Sequence, residues 1–190
     1  MLGDPEKAKE ICGFADPEKP VIMVVGGSLG AASVNSMIRK ILPRLTGKFN
    51  VMHLCGKGKK DDSLAGTAGY VQIEYAKDEM KDLFALADIV VSRAGANAIC
   101  EILALHKPNL LIPLPASASR GDQLLNAESF RKQGFSMVLD EDKDLSEDSL
   151  FDAICELYDR REDFRNNMLK SDQINAVNAV MKLIEENSLE

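Results

Sequence analysis

The sequence predicts an α/β domain, a mainly parallel sheet with helices on both faces. Three observations predict it. Val21-Ile22-Met23-Val24-Val25 is an unbroken apolar run of strand length, as in a strand buried on both sides. Strand-like segments alternate with helical ones, and no β-hairpin signal joins any two of them. Two of the strands, 21–25 and 89–91, each run through a turn of small residues into a helical pattern. Right-handed crossovers then place every strand-to-helix turn on one edge of the sheet, where open α/β sheets bind ligands.

Residues 1–20 read as a charged lead-in with a short helix at Pro5–Cys12, and are assigned as a linker or domain-boundary segment. Residues 21–190 are assigned as one domain, since 190 residues with 45% hydrophobic content suffice for a single sizeable core. After the strand at 21–25, Gly26–Ala31 (GGSLGA) opens a helix with Val34, Met37, Ile38, Ile41 and Leu42 on one face. Phe49–Leu54 is the next strand, followed by Gly56-Lys57-Gly58 and a polar loop. Val71–Tyr75 reads as a strand and Met80–Ala87 as a short helix. Ile89-Val90-Val91 then passes through Arg93-Ala94-Gly95-Ala96 into a helix from about Asn97. Asn109–Leu114 is a strand closed by Pro113 and Pro115, and the loop Ala116–Gly121 is small and polar. A helix at Asp122–Gln133 and a strand at Ser136–Leu139 follow. Ser146–Asn187 is helical, with Ser146 or Asp148 as N-cap.

The composition excludes several classes of function. A net charge of −7 with no basic stripe argues against nucleic acid. No apolar run approaches the roughly 20 residues of a membrane span, and no signal peptide opens the chain, so a cytoplasmic protein without direct membrane insertion is expected. Cys12, Cys55, Cys100 and Cys155 lack CxxC spacing and read as small core residues. Asp140-Glu141-Asp142-Lys143-Asp144 contains a D-x-D pattern, but its charged surroundings fit a solvated loop, and no metal is expected. His53 and His106 are read as structural or exposed. No His–carboxylate–nucleophile grouping is visible.

The turn at 92–97 has the layout of an anion site. A helix's first turn leaves backbone N–H groups unpaired, with partial positive charge from the dipole. Small residues there let a phosphate approach the backbone. Glu101 lies about one turn in, and helical side chains lean toward the N-terminus, so its carboxylate is placed to accept from ribose hydroxyls. A buried βα unit in which Gly95 merely permits close packing is the alternative. GGSLGA lacks the G-x-G-x-x-G spacing, and no G-K-[ST] follows. It offers backbone N–H groups and the Ser28 hydroxyl, or else only a tight turn needed for packing. Asp122 and Gln123 offer partners for sugar hydroxyls, with helix capping by Asp122 as the alternative. Arg93 either screens a diphosphate or pairs with a surface acid.

Taken together, VVGGSLGAASVN at 24–35, ADIVVSRAGANAICE at 87–101 and SRGDQLLNAESF at 119–130 resemble the MurG family. Its members transfer N-acetylglucosamine to undecaprenyl-diphosphate-linked N-acetylmuramyl-pentapeptide in peptidoglycan synthesis. The resemblance covers nearly the whole chain from about Pro20. It implies a Rossmann-like domain, the C-terminal half of a GT-B glycosyltransferase, which holds the donor UDP-N-acetylglucosamine and needs no cofactor. It further implies that Ser28, in the turn with Gly27 and Gly30, contacts the donor near its phosphates. Tyr75 and Ala76 match the position whose backbone reads uracil. Ala96, Asn97, Ala98 and Ile99, after Arg93 and Gly95, would bind the diphosphate, Glu101 the ribose, and Gln123 the N-acetylglucosamine hydroxyls. Asp122 stands where some members carry glutamine.

The family's N-terminal domain carries the acceptor site, the catalytic base and the membrane-docking patch. None of these is matched in the 190 residues, so no catalytic residue is expected here. The chain is expected to bind donor without transferring it, with the full-length protein peripheral on the cytoplasmic face of the bacterial membrane. Three other readings stay open: the donor subunit of a two-chain N-acetylglucosamine transferase, half of a UDP-sugar epimerase, and a non-catalytic nucleotide-binding module.

Overall fold

A computed structural model of the chain describes residues 3–27, 30–118 and 121–171. Among these residues the strands are β1 (Val21–Val25), β2 (Asn50–Leu54), β3 (Tyr70–Ile73), β4 (Ile89–Ser92), β5 (Asn109–Leu111) and β6 (Ser136–Val138). They pair in parallel throughout, in the order β3-β2-β1-β4-β5-β6. The order reverses between β1 and β4, whose last residues, Val25 and Ser92, lie side by side. The crevice beyond those two ends is where such sheets receive nucleotides.

Helices cover both faces, as the apolar run at 21–25 predicts. Ile22 and Val24 enter one core with Val51, Ile89 and Val91. Val21 and Met23 enter the other with Met52, Leu54 and Val90. The first core is closed by α2 (Ala32–Lys40), α3 (Leu42–Lys48), α6 (Asp122–Lys132), α7 (Glu147–Asp159) and α8 (Arg161–Leu169). The second is closed by α1 (Pro5–Cys12) and α4 (Met80–Leu86), while α5 (Ala96–Ala104) gives Ile99 and Leu103 to the first core and Ile102 to the second.

Local chemistry sets the ends of these elements. Asp4 caps α1 by accepting from Glu6 N–H, Pro5 fits its first position, and Gly13 ends it at φ 59°. The lead-in is tied to the domain, since Ala8 and Cys12 pack in the second core and Asp4 N–H donates to Asp82 Oδ1 at 2.7 Å. The helix expected through Leu42 breaks at Ile41. Pro43 lacks an N–H and its ring clashes with the preceding turn, so α3 begins afresh. Ser146 is the cap of α7, forming a reciprocal capping box with Ser149.

Five of the strands shift at their ends: the one expected at 49–54 starts at Asn50, and the one expected at 89–91 runs on to Ser92. The strand expected at 71–75 runs Tyr70–Ile73, the one expected at 136–139 ends at Val138, and the one expected at 109–114 ends at Leu111. Beyond Leu111, the Ile112 and Pro113 carbonyls accept from the Arg93 side chain. The helical expectation for 172–187 falls outside the described residues.

Buried polar groups pin the frame beneath the site. Asn35 Nδ2, on α2, donates to Cys55 O at 2.7 Å, so its Oδ1 accepts from His53 Nε2 at 2.9 Å. That fixes the neutral tautomer, in which His53 Nδ1 accepts from the Tyr70 hydroxyl at 2.8 Å. Burial, with the Arg39 charge nearby, pushes this imidazole down to about 3. His53 is therefore a structural strut between α2, β2 and β3.

Candidate functional site

A cleft of about 540 Å³ opens where the strand order reverses. Its walls come from the glycine turn after β1, the start of α2, the turn after β4, the loop after β5 and the loop after β6. The sequence expectation that the strand-to-helix turns share an edge holds here.

Three helices begin at this cleft, α2, α5 and α6, and none is capped by a side chain. The N-cap of α2 is Ala31 and that of α5 is Gly95. Helix geometry leaves their first N–H groups without an intrahelical acceptor. Neither α2 nor α5 has an acidic residue in its first turn, and nor does α3 away from the cleft, whereas α1, α4, α6, α7 and α8 all do. Acids favour helix N-termini, so at the cleft the starts of α2 and α5 are left open to an external anion, whereas that of α6 carries Asp122.

The glycines separate into two kinds. Gly30, at φ 66°, has backbone so close that a Cβ would lie 2.1 Å from Cys55 O, and a Cβ on Gly26 would lie 2.4 Å from Ala31 N. Both are required for packing. Gly95 is not. Its φ of −68° suits any residue, and an added Cβ would meet nothing within 4 Å. The packing alternative for Gly95 therefore has no geometric basis, and the missing side chain leaves open space over the α5 N-terminus. Gly27 also has open space, with φ 82°.

Arg93 pairs with an acid, as one of its two readings held, but the pair is not a surface one. The residue is 8% exposed. Nη1 donates to Ile112 O, Pro113 O and the Glu141 carboxylate, and Nη2 donates to Ser33 Oγ at 2.8 Å. Glu141 thus departs from the solvated-loop expectation for 140–144, which Asp142, Lys143 and Asp144 follow. Among the described residues, no cluster of His, Cys, Asp or Glu is placed to hold a metal.

Of the predicted site residues, Gly27, Gly30, Arg93, Gly95, Ala98 and Gln123 line the cleft. Ala96 and Asn97 are exposed in the first turn of α5 beside it. Ile99 is buried, and its N–H already donates to Gly95 O at 3.0 Å. The open donors are therefore those of Ala96, Asn97 and Ala98. Glu101 lies on the exposed side of α5, where partial burial lifts its carboxyl above the ordinary range. Gln123 Oε1 accepts from Leu114 N–H at 3.1 Å, which fixes its side chain at the cleft wall. Gly121, at φ 84°, is the N-cap of α6, so Asp122 is its first helical residue and not its cap. Tyr75 is 63% exposed and Ala76 is buried, and neither lines the cleft. Ser28 lies outside the described residues.

Sequence reasoning missed Ser33 and Glu141. Ser33 has a signal, a hydroxyl in the first turn of a helix that follows a glycine turn. Glu141 has none, because in sequence it is one acid among several. Among the described residues, the ionisable groups lining the cleft are Arg93 and Glu141, bonded to each other. The arrangement offers backbone N–H groups to an anion and no free general base.

Residues 21–185 match the model of the glycosyltransferase family 28 C-terminal domain. A curated relative from Lachnospira eligens is 56% identical over 188 residues, covering 99% of this chain and 52% of its own length. It is named UDP-N-acetylglucosamine–N-acetylmuramyl-(pentapeptide) pyrophosphoryl-undecaprenol N-acetylglucosamine transferase. A relative of the same name from Geobacillus thermodenitrificans is 49% identical, covering 96% of this chain and 51% of itself. The chain thus spans about half the length of the curated relatives it matches. The crystal structure of Acinetobacter baumannii MurG shares the fold, with a TM-score of 0.70 and 24% identity over 93% of this chain and 52% of that one.

Proposed function

The chain belongs to the glycosyltransferase family 28 C-terminal domain family, and from that premise we propose that it is the donor-binding half of a peptidoglycan N-acetylglucosamine transferase. The donor is UDP-N-acetylglucosamine and the acceptor is the undecaprenyl-diphosphate-linked muramyl-pentapeptide, as the names of its relatives say of them. The observation that carries the reading is Gly95, whose absent side chain leaves the uncapped α5 N-terminus open to a phosphate. The N–H groups of Ala96, Asn97 and Ala98 hold the diphosphate, joined by Ser28 and the turn at Gly27 and Gly30. Glu101 takes the ribose hydroxyls and Gln123 the sugar, with its carboxamide already fixed on Leu114 N–H. Tyr75 and Ala76 read uracil, and Asp122 stands at the sugar end.

In the inverting displacement, negative charge builds on the departing UDP as its bond to the anomeric carbon breaks. Preorganised N–H dipoles at a helix terminus stabilise that charge without reorganising. Deprotonating the acceptor hydroxyl is a separate task. Glu141 is bonded to Arg93 and unsuited to it, so we place the base, the acceptor site and any docking to the cytoplasmic membrane face outside these 190 residues. Among the described residues, no helix is long and apolar enough to cross a membrane.

Calorimetric titration with UDP-N-acetylglucosamine, UDP and NADH tests the reading. Uridine nucleotides should bind and NADH should not, and Glu101→Ala should weaken uridine nucleotides about tenfold through lost bonds between ribose and carboxylate. Preference for NADH, or glycosyl transfer by this chain alone, would overturn it.

A further inference from the structure

Ser33 stands in the first turn of α2, half-exposed on the cleft wall. Its Oγ accepts from Arg93 Nη2 at 2.8 Å. A hydroxyl whose oxygen is engaged by a guanidinium turns its own proton away from that cation. No acceptor among the described residues takes the Ser33 proton, and the cleft lies beside it.

Arg93 is held too firmly to serve a ligand itself. Ile112 O and Pro113 O fix Nη1 at 3.0 and 3.2 Å, Glu141 shares the same nitrogen, and the residue is over nine-tenths buried. Glu141 also neutralises its charge, so the pair contributes direction to the cleft and no net charge. That direction reaches the ligand through Ser33, beside N–H groups of the α2 first turn that have no intrahelical acceptor.

We propose that Ser33 is a direct contact for a phosphoryl oxygen of the bound nucleoside diphosphate, and that Arg93 is a positioning residue that orients its hydroxyl. The inference rests on the donor-site reading and adds a contact on α2 to those on α5.

NMR titration of the chain with UDP and with uridine tests it, using wild type, Ser33→Ala, Arg93→Lys and the double variant, and the spectra report folding in each. Ser33→Ala should weaken UDP about tenfold and uridine less than about twofold, because only UDP carries the phosphates. Arg93→Lys should weaken UDP by a similar factor alone and no further on the Ser33→Ala background. If Arg93→Lys fails to fold, the Ser33→Ala comparison decides alone. Unchanged UDP affinity in Ser33→Ala, or equal weakening of both ligands, overturns the Ser33 contact while leaving the donor site standing. An Arg93→Lys penalty that persists without the Ser33 hydroxyl makes Arg93 a phosphate ligand and overturns its positioning role. A wild-type chain that takes neither ligand overturns the donor-site reading and this inference with it.

Discussion

Replacing Gly95 by Asp should stabilise the chain while removing its affinity for UDP. Gly95 has the backbone of an N-cap, φ −68° and ψ 143°, and an added Cβ meets nothing within 4 Å. An Asp there accepts from the N–H of Asn97 or Ala98, the groups assigned to the phosphates. Against glycine, such a cap contributes a few tenths of a kcal/mol, and its charge at the dipole adds about 0.3–1 kcal/mol. Reduced freedom of the unfolded chain adds about 0.4–1 kcal/mol. A gain of roughly 1 kcal/mol raises Tm by about 2–4 °C in a chain of this size. Binding moves the other way. Two negative charges about 4 Å apart repel by about 1 kcal/mol in water and about 4 kcal/mol at an effective dielectric of 20. Each lost charge-assisted hydrogen bond costs a further 1.5–3 kcal/mol or about that. Affinity should therefore fall at least about 100-fold. Thermal melting and calorimetric titration with UDP read the two effects separately. A variant that melts higher and binds UDP as tightly as wild type would falsify the placement of the phosphates at α5.

Gly30→Ala should behave in the opposite manner. Its left-handed φ of 66° and the 2.1 Å approach of the new Cβ to Cys55 O should cost about 2–5 kcal/mol and lower Tm by roughly 5–15 °C, and an unchanged melting curve would show the turn to be free to move. Acid should weaken the fold through His53, held at about 3 in the fold against 6.5, so the unfolded chain takes the proton first. This stability is intact above pH 6.5 and declines by about 1.4 kcal/mol per pH unit toward pH 3, so His53→Gln should lose about 2–3 kcal/mol less than wild type between pH 6.5 and 4.5 in urea titrations. Parallel pH profiles for the two proteins would refute it.

The sheet was legible because its signals are local. Val21–Val25 and Ile89–Val91 are apolar at every position, and only a strand buried on both faces calls for that. The parallel order followed from the absence of hairpin turns. The break at Ile41 has a sequence signal in Pro43, but the continuous apolar face from Val34 to Leu42 does not show it. The short ends of β3 and β5 were not legible. A strand stops where its neighbour's hydrogen bonds stop, and the partner that takes the Ile112 and Pro113 carbonyls is the side chain of Arg93, some twenty residues earlier.

Arg93 shows why the site was harder to read than the sheet. A cation two residues before the glycine of a phosphate-type turn has the chemistry of a phosphate ligand. Its position also follows directly on a central strand, so its side chain starts among buried neighbours. Burial of a guanidinium demands partners for its donors, and the two terminal nitrogens find two carbonyls, a hydroxyl and a carboxylate, while Nε has no partner among the described residues. Glu141 is 48 residues away in sequence, and no spacing rule reaches that far. On the proposed donor-site reading, the described groups that would hold an anion carry no formal charge: the N–H donors at the starts of α2 and α5. Sequence hints at those donors only by omission: both first turns lack the acids and capping side chains that α1 and α7 use, but so does that of α3, which lies away from the cleft.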